Sequence, residues 1–154
     1  MPELNGTEIR ALEEALDDEY RAWATYNQVI HDFGKVRPFT NILGAEERTI
    51  DALHLLFARY GLPVPNNSWL EKIPHYAGIK EACEAGIAAE IANGALYERL
   101  LEATRREDIR RVFRNLRDAS QRRHLPAFQR CAQRGADGGR EHGTMRQRRG
   151  RNRP

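Results

Sequence analysis

The sequence predicts an all-α protein: four helices in a bundle, with a long crossover between the second and the third. Three observations carry that expectation. Apolar residues recur at helical spacing through four segments, and no segment carries a strand signal. The links between helices 1 and 2 and between helices 3 and 4 are short, which makes each pair antiparallel neighbours. The link between helices 2 and 3, residues 61–77, is rich in turn residues (Pro63, Pro65, Asn66, Asn67, Ser68, Pro74) and long enough to cross the bundle.

Helix 1 is expected from about Thr7 to Phe33, with Thr7 as N-cap, Leu12, Leu16, Trp23, Tyr26, Ile30 and Phe33 on its apolar stripe, and Gly34 as its stop. Helix 2 is expected from Pro38 to Tyr60, ending at Gly61-Leu62-Pro63. Helix 3 should run from about Gly78 to Thr104 and helix 4 from about Glu107 to Arg134, with Pro126 bending the latter. Residues 1–134 then form one domain. Residues 135–154 are Gly/Arg-rich, nearly free of apolar side chains, and read as a disordered basic tail.

The 154 residues are enough for one buried core. No apolar run reaches the roughly 18 residues of a membrane span, and the N-terminus lacks the pattern of a signal peptide, so no membrane partner and a cytoplasmic location are expected. Charge is segregated along the chain. Residues 105–134 hold ten Arg against three acidic residues, the tail holds six Arg against two, and the preceding 104 residues are net acidic. The basic fourth helix packing on acidic neighbours accounts for its part. For the tail, an anionic partner, nucleic acid included, stays open.

Four polar residues fall where apolar ones belong. At about 100° per residue, Glu19, Glu46, Glu90 and His124 each lie within about 40° of the centre of their helix's apolar stripe. An unpaired buried carboxylate costs several kcal/mol, so three of them ask for a cation, hydrogen-bond donors or a proton. Glu19 and Glu90 each begin a Glu-x6-Tyr segment, ending at Tyr26 and Tyr97. The repetition suggests duplicated helix pairs. Gly86 and Gly94 flank Glu90 on the same face and suit close helix packing.

These residues resemble the ferritin-like superfamily, which includes rubrerythrins and other di-iron carboxylate proteins. The segments Ala45-Glu46-Glu47-Arg48-Thr49-Ile50-Asp51-Ala52-Leu53, Ala88-Ala89-Glu90-Ile91-Ala92-Asn93 and His124-Leu125-Pro126-Ala127-Phe128 most resemble an uncharacterised bacterial ferritin-like family. The resemblance covers roughly residues 7–134 and implies a ferritin-like four-helix bundle. In the superfamily pattern, two helices give a single Glu each and two give Glu-x-x-His. Glu19 and Glu90 match the single glutamates. Glu46 matches the first Glu-x-x-His, with Thr49 where His is asked for. His124 matches the second, with Gln121 where Glu is asked for. The resemblance therefore implies a partial site, with Glu19, Glu46, Glu90 and His124 as ligands of iron or manganese. Tyr26, Tyr97, Thr49 and Gln121 would stand behind them, and weak ferroxidase- or peroxide-type redox activity is implied. The competing expectation is a metal-free interaction protein whose core carboxylates are neutralised by Arg117 and His124. Nucleic-acid binding through helix 4 and the tail is the third.

Cys83 lies seven residues before Glu90 and Cys131 seven after His124. In antiparallel helices this places both at one end of the site, as a buried thiol pair or a disulfide, with reduced thiols the default for a cytosolic chain. Asp51 and His54 flank the core and could form a surface site, but a solvated face fits better. A homodimer is also expected by analogy, with Trp69 as an exposed apolar contact.

Overall fold

The structure is a computed structural model that describes residues 3–135. Among these residues there are helices and no strands. Helix α1 spans Gly6–Phe33, α2 Phe39–Arg59, α3 Ile79–Leu100 and α4 Glu107–Ala119. A short 3-10 turn, Leu101–Ala103, finishes α3, and a π turn, Ser120–His124, follows α4. The rod then continues as α-helix over residues 125–135. The tail expected at 135–154 lies outside the described residues beyond Gly135.

Each boundary has a local cause. Asn5, not Thr7, caps α1: its side chain accepts from the Glu8 N–H at 2.8 Å, and Glu8 reaches back to the Asn5 N–H at 3.0 Å. This reciprocal box satisfies two donors that a helix start leaves free. Gly34 (φ 89°) ends α1 and Gly61 (φ 67°) follows α2, both in a backbone region that suits glycine. Pro38 precedes α2 as its N-cap residue. Pro126 lacks an N–H and would crowd the carbonyl one turn back. Instead of a simple bend, the rod inserts the π turn immediately before it, and the Leu125 N–H bonds the Ser120 carbonyl.

α1 packs along α2 and α3, and α4 packs along α3 and α2. Pairings such as Trp23–Glu47 with Tyr20–His54, and Glu14–Arg99 with Tyr26–Glu90, run α2 and α3 both antiparallel to α1. α2 and α3 are thus parallel, so residues 60–78 must cross the length of the bundle. The crossover is fastened to α1: Tyr20 donates to the Pro65 carbonyl at 2.7 Å, Asn67 to the Tyr20 carbonyl at 3.1 Å, and His75 pairs with Asp32 at 2.7 Å. Trp69 is half-buried here rather than exposed. Its indole donates to Asp17 at 3.0 Å and Arg21 covers its ring. The exposed position expected of Trp69 is therefore corrected to a half-buried one.

Two apolar clusters fill the bundle. One gathers Leu12, Leu16, Leu53, Phe57, Tyr97 and Phe113; the other gathers Tyr26, Phe39, Ile42, Cys83, Phe128 and Cys131. Cys83 and Cys131 are joined as a disulfide with their Cα atoms 6.0 Å apart, so the reduced pair expected by default is corrected to a bridge. Gly86 lets α3 approach the last helical stretch closely: a Cβ there would lie 2.8 Å from the Phe128 ring. No described helix is long and apolar enough to cross a membrane.

Candidate metal centre

The acidic belt lies between the two apolar clusters. Glu19, Glu46, Glu90 and His124 are all buried, with exposures of 3%, 2%, 2% and 6%, as the helical phase predicts. Each is delivered by a different helix, so a single region of the core receives three carboxylates and an imidazole.

The two Glu-x6-Tyr segments meet there in a crossed arrangement. Tyr26, from the Glu19 segment, donates to Glu90 Oε2 at 2.6 Å. Tyr97, from the Glu90 segment, donates to Glu19 Oε2 at 2.5 Å. Each tyrosine serves the other helix's carboxylate because α1 and α3 are antiparallel and both motifs face inward. Burial, then the charge of the partner carboxylate, pushes both phenols well above their usual range, so they stay protonated donors. Asn93 adds a second donor to Glu19 at 3.1 Å, and Ser120 adds one to Glu90 Oε1 at 2.6 Å.

Ser120 belongs to neither the Glu-x6-Tyr segments nor the Glu-x-x-His pattern, so the motifs do not mark it. The π turn sets both Ser120 and His124 inward, where they are 3% and 6% exposed. Gln121 is tied to α3 and to Ser120 through its amide nitrogen. Its amide donates to the Glu90 carbonyl at 2.6 Å and to Ser120 Oγ at 2.8 Å, clamping the π turn onto α3. That clamp needs Gly94, since a Cβ there would meet the Gln121 amide at 2.5 Å. Thr49 is buried beside the belt, but its side chain makes no hydrogen bond to it among the described residues.

Glu46, Glu90 and His124 are brought together so that one ligand atom from each lies within 4.8 Å of the others. His124 Nδ1 is 3.7 Å from Glu46 Oε2 and 3.7 Å from Glu90 Oε1. That is too long for a hydrogen bond. Two atoms bound to one ion at about 2.1 Å each can lie up to about 4.2 Å apart, so the spacing suits a shared cation. Among the described residues, His124 Nδ1 and Glu46 Oε1 are the two buried side-chain polar atoms with no hydrogen-bond partner. Burial first, then the negative charge of Glu19 and a hydrogen bond shared with it, pushes the Glu46 carboxyl well above the usual carboxylate range. Glu19 is raised as well, again by burial, against the lowering effect of its bonds to Glu46 and Tyr97.

Arg117 does not enter this core. Its guanidinium pairs with Glu98 at 3.0 Å and with Asp118 at 3.3 Å, on the outside of α4. The expectation that Arg117 neutralises the buried glutamates is therefore corrected. Arg110 binds the carbonyls of Leu101 and Thr104, and Arg114 binds Glu107, so the first half of the basic rod is largely occupied by its neighbours. Asp51 is exposed, and His54 bonds the Tyr20 hydroxyl at 3.0 Å instead of joining Asp51 in a surface site.

No family model matches the chain, and no curated protein matches it. The fold is similar to the crystal structure of a hypothetical protein from Methanococcus jannaschii DSM 2661, with a TM-score of 0.76 and 24% identity over 88% of this chain and 85% of that one. At that identity the likeness speaks for the helical fold alone.

Proposed function

We propose that the protein is a ferritin-like bundle that binds one divalent ion, iron or manganese, through Glu46, Glu90 and His124, with Glu19 beside them. One observation carries this reading: His124 Nδ1 and Glu46 Oε1 are buried in the same cluster without partners. Leaving a buried polar group unsatisfied costs about 1–3 kcal/mol, and a cation would satisfy both at once. The parallel α2 and α3 joined by a long crossover support the ferritin-like reading. The donor set of carboxylate oxygens and one imidazole suits Mn(II) or Fe(II) better than soft, thiolate-seeking ions.

A bound Fe(II) would supply one-electron chemistry toward dioxygen or peroxide. The chain's own part is to hold the donors. Tyr26 and Ser120 fix Glu90, Tyr97 and Asn93 fix Glu19, and the two apolar clusters keep bulk water away. Thr49 and Gln121, in place of His and Glu, leave too few ligands for a full two-ion centre, which favours a single ion.

A second reading has its own support. The raised Glu46 carboxyl shares a hydrogen bond with Glu19, so a retained proton could settle the belt without metal. Metal analysis of protein purified without chelator separates the two, with Glu90→Ala and His124→Gln as controls. About one Fe or Mn per chain, lost in both variants, supports the metal reading. Sub-stoichiometric metal that neither substitution changes supports the metal-free bundle.

A further inference from the structure

Beside the acidic belt lies a pocket of opposite character. It has a volume of about 430 Å³ and opens between the start of α2 and the helical stretch after the π turn. Arg37 and Arg48 line it from the α2 side, and Arg123, Arg130 and Arg134 from the other. Its lining contains no acidic residue. All five arginines are exposed, and among the described residues none has a carboxylate within 4.0 Å. This separates them from Arg110, Arg114 and Arg117 of the same rod, each of which is held by a carbonyl or a carboxylate.

Residues 123, 127, 130 and 134 recur on one face of the last helical stretch. Opposite them stand Arg48 on α2 and Arg37 in the turn that precedes it. The two arginine-bearing faces look at each other across apolar Pro38, Ile42 and Ala127. Five like charges around one concavity repel, and an anion entering it relieves the repulsion while gaining bidentate guanidinium bonds. The volume is within the range of small-molecule sites, and the apolar floor offers a surface for the body of such a ligand.

We propose that this pocket binds a phosphate-bearing small molecule carrying several negative charges. A phosphate group brings up to two charges and three acceptor oxygens to a guanidinium fork, which a single carboxylate does not. The inference goes beyond the metal reading, because none of the five arginines belongs to the carboxylate cluster. The two sites nevertheless share a wall: His124 lines the pocket while its Nδ1 faces Glu46 and Glu90. A ligand held there lies against the imidazole of the candidate metal centre.

The test uses the full chain, freed of metal by chelator and dialysis so that the probe cannot act by stripping an ion. Tripolyphosphate is titrated calorimetrically into the wild type, into Arg123→Gln/Arg130→Gln, and into Arg111→Gln/Arg122→Gln. The last variant removes the same charge from exposed positions of the rod outside the pocket. The expected result is saturable binding weakened by at least about tenfold in the pocket variant and by less than about twofold in the control. Equal weakening in both variants would assign the binding to general positive charge and overturn the proposal. Citrate binding as tightly as tripolyphosphate would overturn the phosphate assignment. Thermal melts of all three proteins confirm that each is folded, and a tripolyphosphate-induced rise in melting temperature that the pocket variant lacks is the second expected readout.

Discussion

The bundle buries two of its carboxylates, Glu8 and Glu46, in different places and treats them in opposite ways. At one end, Glu8 is 7% exposed and fully engaged: Thr104 donates to it at 2.6 Å, the Asn5 N–H at 3.0 Å, and Arg106 pairs with it at 3.4 Å. Burial alone would raise its pKa, but these partners outweigh burial and lower it. In the middle, Glu46 is 2% exposed, keeps an oxygen without a partner and faces an unpartnered imidazole nitrogen, and its pKa is pushed well up. The same fold gives the first carboxylate several donors and an arginine, and gives Glu46 only the bond it shares with Glu19. A carboxylate kept for stability looks like Glu8. On the proposed metal reading, one kept available for an ion looks like Glu46, at a cost to the metal-free fold.

The largest contrast in stability should come from replacing each acid with its amide. Glu8→Gln removes a charge from a satisfied cluster and leaves Arg106 without its counter-ion, so a loss of about 2 kcal/mol is expected. Chemical denaturation gives the value, and a change below about 0.5 kcal/mol would erase the difference between the two sites. Glu46→Gln, in metal-free protein, removes a charge that burial disfavours. It should be neutral or stabilising by about 1 kcal/mol while abolishing metal uptake. A loss as large as that of Glu8→Gln would mean that Glu46 is a structural carboxylate after all.

The pH dependence sharpens the comparison with a smaller effect. Glu8 has a folded pKa below its ordinary 4.5, so its contribution is present above that value and is lost as pH falls through the folded one. Glu46 has a folded pKa well above 4.5, so its contribution is present below that value and is lost as pH rises through the folded one. Denaturation of metal-free wild type across this range should show both slopes. Glu8→Gln should flatten the acid side alone, and Glu46→Gln the opposite side alone.

The positions of the four core residues were legible because helical phase is a local property. Glu19, Glu46, Glu90 and His124 lie inward on four different helices, as counting at 100° per residue predicts. What crosses between helices was not legible. The exchange of Tyr26 and Tyr97 depends on the antiparallel register of α1 and α3, and the partners of Glu8 include Thr104, 96 residues away. Arg117 lies outside the core for a definable reason. Regular spacing back from His124 points it inward, but the π turn at Ser120–His124 fits more residues into its turn and rotates the upstream face. Pro126 was the available signal, since a proline inside a helix calls for some such adjustment. The disulfide turned on side-chain separation, which spacing places at one end of the bundle without fixing.

The most direct test of the central claim is the melting temperature with and without Mn(II), measured on wild type, His124→Ala and Glu8→Gln. A ligand that binds only the folded state stabilises it by about 2.7 kcal/mol at a hundredfold excess over Kd, or roughly 5–10 °C for a chain of this size. The account predicts that rise in wild type and in Glu8→Gln, from a lower starting point in the latter, and no rise in His124→Ala. An equal rise in all three proteins, or none in wild type, would contradict it.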